Sequence, residues 1–360
     1  MPLKPNLNER HQNILRVTIQ HYIATAEPVG SKTLAQEYDL SISSATIRQT
    51  MGQLEKAGLL YQPHTSAGRI PSDSGYRIYV DRLITPDENA SRKIEESLNR
   101  ELNWDKCGFE GTLQRAAQIL ATLSGYIVLI TMPQSSIARL RHLQLVQINP
   151  KQTMLIIVTD SYQTESVLFE SPVAICEGDR ESEELAQNEL QLLSNFLNSK
   201  LRGRTFSEIA SLDWMELDRE FERYAEFLKT LIKQLSYRSV PSTSTPIMIR
   251  GISEVLRQPE FSQLEQVQML VRLLEEEQEQ LWPLIFEAQD RQKLTDRVKI
   301  KIGSENPLES MRPCTLISSV YRQGEVPVGS VGIIGPTRML YENAIALVEC
   351  TADYISEALS

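Results

Sequence analysis

Near the start of the chain, apolar residues repeat with a helical period in three segments that proline, glycine and serine separate. The first segment, 8–23, places its apolar residues on one face and begins at Asn8, a residue type that caps helix N-termini. The second segment, 31–38, begins at Ser31 as the expected cap. Three of its residues are expected to face the interior: Leu34, Ala35 and Tyr38. The pattern predicts two helices, the second of them short.

The third segment has the clearest pattern. Its apolar row recurs at i, i+4 and i+7: Ile47, Met51 and Leu54. Ser43 or Ser44 is a good N-cap, and Gly58 stands where the C′ residue of a helix belongs. This predicts a helix of roughly three to four turns that follows the second helix after a brief turn, which is helix-turn-helix spacing.

A hairpin is predicted directly after the third helix. Residues 59–61 have β-type composition, residues 63–68 are rich in turn formers, and residues 69–70 can return as a second strand. Residues 74–83 are again helical in period. A hairpin at this point converts a helix-turn-helix into a winged helix, so we predict a winged helix-turn-helix domain at 1–86.

After this domain, the chain changes from a polar stretch to strand-like patterns. Residues 85–104 are interpreted as a loop and a solvated helix, and an amphipathic helix follows at 109–123. Four β-rich segments come next: 126–131, 143–148, 154–159 and 166–170. They predict a mostly antiparallel sheet preceded by a helix, an α+β arrangement.

A helical block interrupts the strand pattern before the strands resume. Its helices are predicted at 181–199, 218–237 and 261–288. Strands are then predicted at 298–302, 315–321 and 329–334, and a last helix at 336–359. Strands on both sides of a helical block indicate one sheet domain with an insertion. The apolar faces of the insertion fit a dimerisation module, although a lid gives the same pattern.

Composition adds little to this picture, whereas the division of charge is informative. The 360 residues are 41% hydrophobic and 23% charged, which is typical of a globular protein of two or three domains. Residues 1–85 contain nine Lys/Arg and seven Asp/Glu, a net charge of +2, in a chain of net charge −10. Because the acidic remainder repels a phosphate backbone, any DNA contact must belong to the N-terminal segment.

Missing motifs argue against several protein classes. The chain has no run of about 18 apolar residues and no apolar export signal, so we expect a cytoplasmic protein that does not span a membrane. Its four cysteines form no C-x-x-C pair and its histidines lack metal-ligand spacing, so we expect no metal and no cofactor. No catalytic constellation is recognisable, and we predict that the protein is not an enzyme.

The outward face of the third helix favours DNA as its partner. Opposite the apolar row lie Ala45, Gln49, Gly52, Gln53 and Lys56, flanked by Ser44, Thr46 and Arg48. None of these residues is acidic. The Gln49 amide can pair bidentately with adenine, Ala45 can touch a thymine methyl group, and the flanking polar side chains can reach phosphates. The alternative is a surface helix of a protein–protein module built on the same scaffold.

The predicted wing supplies further donors around Gly68, among which Arg69 suits a minor groove or a phosphate. An ordinary turn also fits this short sequence. The complete set of candidate DNA contacts is Lys32, Ser43, Ser44, Ala45, Thr46, Arg48, Gln49, Gln53, His64, Thr65, Ser66 and Arg69.

A glycine-containing turn, 332–335, stands at a predicted strand-to-helix junction near the C-terminus. Thr337 or Arg338 can bind an anion at such a junction. We favour the alternative, a tight turn with Pro336 at the first helical position and Arg338 in a structural ion pair. The turn is neither a P-loop nor a G-x-G-x-x-G motif.

Three segments carry a resemblance to a known family. They are PVGSKTLAQEY at 28–38, SSATIRQTMGQLEKAGLLYQPHTSAGRIPSDSGYRIYVD at 43–81 and GSVGIIGPTRMLYENAI at 329–345. They resemble the HrcA family of bacterial heat-inducible transcription repressors. The first two are highly specific in combination, and the third extends the resemblance to the C-terminal part. Residues 175–260 match only in general helical character.

The resemblance implies both a function and a domain organisation. It implies a homodimer that binds an inverted repeat, CIRCE, in the control regions of chaperone genes, represses them and is released on heat stress. It also implies a GroEL-type chaperonin as a partner and a nucleoid-associated location in the bacterial cytoplasm. The implied domains are a winged helix at 1–86, a linker helix at 87–105, a GAF-like domain at 106–175 and 261–360, and a mostly helical dimerising insertion at 176–260.

Within the recognition helix, the chain departs from the family pattern at two points. Gln49 and Thr50 stand where the family usually has Asn followed by an acidic residue, and Gly52 stands where Ala is common. If the family's Asn reads a base, Gln49 can still pair with adenine at longer reach.

Two other functions remain open from the sequence. The first is a small-molecule-responsive winged-helix regulator switched through the GAF-like domain, for which the glycine turn is the only pocket motif. The second is an enzyme, for which no catalytic constellation is present. A DNA-binding repressor is therefore the leading prediction.

Overall fold

The computed structural model describes most of the chain. The described residues are 7–65, 67–84, 104–133, 139–160, 164–172, 180–210, 246–286 and 297–359, with single positions at 92, 94, 96, 97, 100, 224, 227 and 230. The predicted linker helix at 87–105 and the predicted helix at 218–237 lie largely outside the described residues.

Three helices open the described chain: α1 Glu9–Thr25, α2 Ser31–Glu37 and α3 Ser44–Lys56. Two predicted N-caps are confirmed. Asn8 Oδ1 accepts the backbone N–H of His11 at 2.9 Å, and Ser43 Oγ accepts that of Thr46 at 3.2 Å. The C′ role of Gly58 is also confirmed, because its φ of +73° is a left-handed conformation that suits glycine.

Helix α2 differs from the sequence prediction at two positions. Its N-cap is Gly30 rather than Ser31, and no side chain caps the helix. Ala35 is exposed, whereas Leu34 is fully buried. A helix of seven residues makes only two turns, so one large apolar residue is enough to hold it against α3.

The predicted hairpin is confirmed. Strand β1 Leu60–Tyr61 pairs antiparallel with β2 Ile70–Pro71. Helix α4 Asp73–Ile78 follows and continues into a π-helical turn, Tyr79–Leu83. Residues 7–84 are called the N-terminal unit below, and residues 104–359 the body.

A five-stranded antiparallel sheet lies at the centre of the body. Its strands are β3 Ile127–Thr131, β7 Ile247–Arg250, β8 Val298–Ile302, β9 Cys314–Gln323 and β10 Val326–Pro336. They are arranged in the order β7-β3-β10-β9-β8. One face packs against α5 Trp104–Ser124 and α11 Tyr341–Ala358, and the other against α9 Leu264–Glu275 and α10 Gln278–Ile285. Both faces of this sheet are therefore buried.

A second, three-stranded sheet has a core of its own. It consists of β4 Leu140–Asn149, β5 Gln152–Thr159 and β6 Thr164–Glu170, with α6 Arg180–Leu201 packed on it. The prediction that the four β-rich segments form one sheet is therefore wrong. Strand β3 is buried at every position and apolar at its first four, so it needs cover on both faces. Buried positions in β5 alternate and need cover on one face only.

Because the two sheets are separate, the insertion has different bounds from those predicted. The chain leaves the five-stranded sheet after Thr131 and returns to it at Ile247. The interruption therefore spans 132–246 rather than the predicted 176–260, and its described part contains a sheet as well as α6 and α7 Phe206–Ala210. A short helix, α8 Ile252–Val255, follows β7.

Two helix boundaries were predicted wrongly. The helix predicted at 261–288 is divided into α9 and α10, because the solvated run 275–280 has no apolar side chain to hold a continuous helix on the sheet. The last helix begins at Tyr341 rather than at 336. Pro336 is not its first residue, because β10 extends to Pro336, which lies opposite Cys314 in the ladder.

The N-terminal unit packs directly on the body and shares a hydrophobic core with it. Arg77 Nη2 donates to the Ile300 carbonyl at 2.6 Å, and Arg77 Nε donates to Glu305 Oε1 at 2.9 Å. The Tyr79 hydroxyl donates to Glu342 Oε1 at 2.6 Å. Polar contacts thus connect α4 and the π-helical turn to β8, the turn after β8, and α11.

Arg338, in the turn before α11, makes a second connection to the N-terminal unit. Its Nε donates to Glu260 Oε1 at 2.6 Å, and its Nη1 donates to the carbonyl of Ile23 in the last turn of α1, also at 2.6 Å. Only 11% of its side chain is exposed. The predicted structural ion pair is confirmed, so the guanidinium is committed to the protein rather than to an anion.

Candidate nucleic-acid interface

The buried row of α3 determines which of its side chains face outward. Ile47, Met51 and Leu54 are fully buried, and the predicted apolar face is thereby confirmed. The exposed candidates on the other side are Ala45, Arg48, Gln49 and Gln53, with Ser44 and Thr46 half-buried.

Two candidates at the start of α3 contact each other. Ser43 Oγ lies 2.9 Å from Thr46 Oγ1 in addition to capping the Thr46 backbone N–H. Both hydroxyls therefore stabilise the helix end. Arg48 and Gln49 remain as exposed polar side chains in the first two turns, and neither has a protein hydrogen-bond partner among the described residues. Lys32 is exposed near the start of the neighbouring α2.

The structure turns Arg69 toward α3 rather than outward. Its Nε and Nη2 each lie 3.0 Å from Glu55 Oε2, and 18% of the side chain is exposed. Its backbone forms a two-way bridge with Val29 at 2.9 Å. Arg69 thus connects the hairpin to α3 and to the segment before α2. The pair also neutralises Glu55, the one acidic residue in the sequence of α3.

At the hairpin tip, His64 and Thr65 are exposed, and Ser66 lies outside the described residues. Gln62 braces the tip, because its Nε2 donates to the carbonyls of Thr65 at 3.0 Å and Ala67 at 2.7 Å. This role of Gln62 has no signal in the sequence, since a glutamine in a turn has no distinctive pattern.

Gly52 is not required by the packing of the protein. A Cβ added to it meets only Arg69 Nη2, at 3.7 Å, an ordinary van der Waals distance. Glycine therefore costs helix stability at this position without relieving a clash within the chain.

A side-chain contact between α1 and α3 also has no signal in the sequence. The Nε2 atom of His11 lies 3.0 Å from Oε1 of Gln53, and its Nδ1 lies 2.6 Å from Oδ1 of Asn8. His11 and Gln53 are 42 residues apart, so no local pattern relates them.

The remaining chemistry of the described residues is limited. They contain no group of three or more His, Cys, Asp or Glu side chains arranged to hold a metal ion. None of the described helices is both long enough and apolar enough to cross a membrane.

Comparison with known proteins identifies the family. The family model for the HrcA protein C terminal domain matches residues 110–345. The heat-inducible transcription repressor HrcA of Nostoc punctiforme is 58% identical over 99% of each chain, and that of Synechocystis is 54% identical with the same coverage. The chain belongs to the HrcA family. As a heat-inducible transcription repressor it binds DNA, and it is not an enzyme.

One solved structure has the same fold as this HrcA-family chain. It is a crystal structure described as a hypothetical protein, with a TM-score of 0.60 and 22% sequence identity, and the match covers 98% of this chain and 99% of the other. At this identity the likeness extends to the mixed α/β fold alone.

Proposed function

We propose that this HrcA-family protein represses chaperone genes as a homodimer that binds an inverted-repeat operator, CIRCE, and is released on heat stress. The N-terminal unit acts as a winged helix-turn-helix, with α3 as the recognition helix and the β1–β2 hairpin as the wing. The observation that carries this proposal is the outward face of α3, which bears Arg48 and Gln49 and has its one carboxylate neutralised by Arg69.

The candidate contacts divide by chemistry. Gln49 keeps both ends of its carboxamide available and so suits bidentate pairing with adenine in the major groove. Arg48, near the helix N-terminus, suits a guanine or a phosphate. Lys32, His64 and Thr65 are exposed beside or beyond α3, where they suit the backbone of the duplex.

The body supplies the homodimer in this proposal. The five-stranded sheet and its helices act as the GAF-like domain, and residues 132–246 act as the dimerising domain. Its separate core and the exposed Leu185 and Leu192 of α6, 64% and 62% exposed, support this assignment. A two-fold dimer places two recognition helices about 34 Å apart, in successive major grooves.

The cellular setting follows the family resemblance. We place the protein at the nucleoid in the bacterial cytoplasm, with a GroEL-type chaperonin maintaining the competent repressor.

The proposal is tested by footprinting the purified protein on the upstream regions of its host's chaperonin genes. We expect protection of an inverted repeat. Arg48→Ala and Gln49→Ala are each expected to weaken binding by about 1–3 kcal/mol, the range for a base-reading side chain. Arg312→Ala, which removes an exposed arginine of the body, is the matched control and is expected to bind normally.

Two results would contradict the proposal. One is normal operator binding by Arg48→Ala and Gln49→Ala proteins that remain folded and dimeric. The other is a monomer in sedimentation equilibrium at the concentrations that protect the operator.

The small-molecule alternative gains no support from the glycine turn. A Cβ at Gly335 would lie 2.7 Å from the Tyr126 ring, so the turn is packed against an aromatic side chain. Arg338, the charged group beside it, is engaged by Glu260 and by the end of α1. We therefore retain DNA binding without a ligand as the proposal.

A further inference from the structure

The His11 ring joins the first turn of α1 to the third turn of α3. One ring nitrogen, Nδ1, lies 2.6 Å from Asn8 Oδ1, and the other, Nε2, lies 3.0 Å from Gln53 Oε1. Gln53 is exposed on the outward face of α3, whereas His11 is half-buried beneath it. The ring is therefore the only described side chain that forms a hydrogen bond with a candidate base-reading group from outside α3.

The helix cap fixes the orientation of this ring. Asn8 Oδ1 already accepts the backbone N–H of His11, so it is an acceptor, and the Nδ1 beside it must donate. With the proton on Nδ1, Nε2 of the neutral ring accepts, and rotating the Gln53 carboxamide so that its O and N ends exchange places the NH₂ group there as the donor.

The contact uses one end of the Gln53 carboxamide. A carboxamide pairs bidentately with adenine only when its oxygen and its NH₂ group are both available. The contact with His11 Nε2 uses one of the two hydrogen-bonding positions at that end and removes the rotational freedom of the carboxamide, so the opposite end faces a base in one fixed direction. Gln49, one turn earlier, has no protein hydrogen-bond partner among the described residues, so the two glutamines differ in what they can read.

We propose that His11 is a positioning residue for sequence readout: it holds one end of the Gln53 carboxamide and presents the other end to a single base edge. The inference rests on the proposed function of α3 as the recognition helix. It assigns a specificity role to a side chain of α1, outside the recognition helix.

The test is a selection from a randomised duplex library by the full-length wild-type protein and by His11→Ala, Gln53→Ala and the double variant. We expect wild type to select one base at the position that Gln53 reads. His11→Ala is expected to relax this preference and to lower affinity for the selected duplex roughly 3- to 10-fold, the value of one hydrogen bond. Because both residues act through one contact, the double variant should lose no more than Gln53→Ala alone.

Two control variants separate positioning from folding. Asn13→Ala changes an exposed polar side chain two residues away on α1 and should leave the profile unchanged. His11→Gln, whose amide reaches the Nε2 position, should restore the wild-type preference. The Asn8 cap survives both substitutions at position 11, because it uses the backbone N–H.

Two outcomes would overturn the inference. One is a wild-type base profile for His11→Ala when Gln53→Ala is altered, because Gln53 then needs no support. The other is an unaltered profile for Gln53→Ala, because a side chain that reads no base needs no positioning. The proposed function is judged separately, by the operator binding of Arg48→Ala and Gln49→Ala and by the oligomeric state of the protein.

Discussion

Gly68 lies where the hairpin passes closest to the chain segment before α2. A Cβ at this position would lie 2.5 Å from the Pro28 carbonyl oxygen and 2.6 Å from the Val29 carbonyl carbon. Both are backbone atoms held by the bridge between Val29 and Arg69, so they cannot rotate away as a side chain can. A Cβ at Gly52, on α3, would meet only the Arg69 side chain, at 3.7 Å, and no backbone atom.

Alanine substitutions at the two glycines should therefore have opposite effects on stability. Gly68→Ala is expected to destabilise the fold by roughly 1–3 kcal/mol, the usual cost of forcing an extra methyl group into a packed site. Gly52→Ala is expected to stabilise it by up to about 1 kcal/mol, because alanine has the higher helix propensity. Urea unfolding of both variants measures the two differences.

Gly203→Ala is a useful third variant in the same assay. Its φ is +81° and a Cβ would meet nothing within 4 Å, so any loss of stability reports conformational strain alone. Stabilisation by Gly68→Ala would contradict the close approach of the hairpin.

At the scale of elements, the junction between α4 and the turn after β8 depends on an ion pair. Burial raises the pKa of Glu305, but the hydrogen bonds from Arg77 and from the Ile302 N–H outweigh it, so the net pKa is below its ordinary value. A carboxyl group with a depressed folded-state pKa stabilises the fold above its unfolded-state pKa. That contribution is lost as the pH falls through the folded-state value.

Glu305→Gln should consequently lose stability at neutral pH and show less acid sensitivity than wild type. The stability difference between the two proteins is expected to be largest near pH 7 and to shrink below the ordinary glutamate pKa of 4.5. Thermal unfolding from pH 7 to pH 3 measures it. Glu309→Gln, which alters a largely exposed carboxyl group nearby, should show little difference at any pH. A constant difference across the range would contradict the assigned role.

The elements themselves were predictable where their signals are local. The caps Asn8 and Ser43 and the C′ residue Gly58 act within one helical turn, and all three predictions are confirmed. Which sheet a strand joins is not a local property. Strand β7, the partner of β3 on one side, begins 116 positions after β3 ends and was not predicted.

At the scale of the whole molecule, Arg338 connects three separate segments. Arg338 lies in the turn between β10 and α11. Its side chain contacts the last turn of α1 and Glu260 in the segment before α9. The Ile23 carbonyl belongs to the last turn of α1, where carbonyls lack helical partners and a cation is favoured. Removal of the guanidinium leaves both this carbonyl and the Glu260 carboxylate without their charged partner.

Arg338→Met should therefore loosen the N-terminal unit from the body. We expect a loss of roughly 2–4 kcal/mol, somewhat below the cost of breaking a fully buried pair. Calorimetry should show a lower and broader unfolding transition. Arg312→Met, at an exposed ion pair, is the control. Equal transitions for the two variants would show that the connection through Arg338 contributes nothing.

The amino-acid sequence by itself determined the order of the N-terminal elements, the buried and outward faces of α3 and the family resemblance. Caps, turns and apolar periods arise from residues only a few positions apart, so they can be predicted from the sequence without knowledge of the fold. The tertiary structure decided the partners: Glu55 for Arg69 at a separation of 14 residues, His11 for Gln53 at 42, and Ile23 for Arg338 at 315. Such pairs depend on the path of the whole chain. A charged or polar side chain can pair with many different groups, and the packing of the fold determines which of them lies next to it.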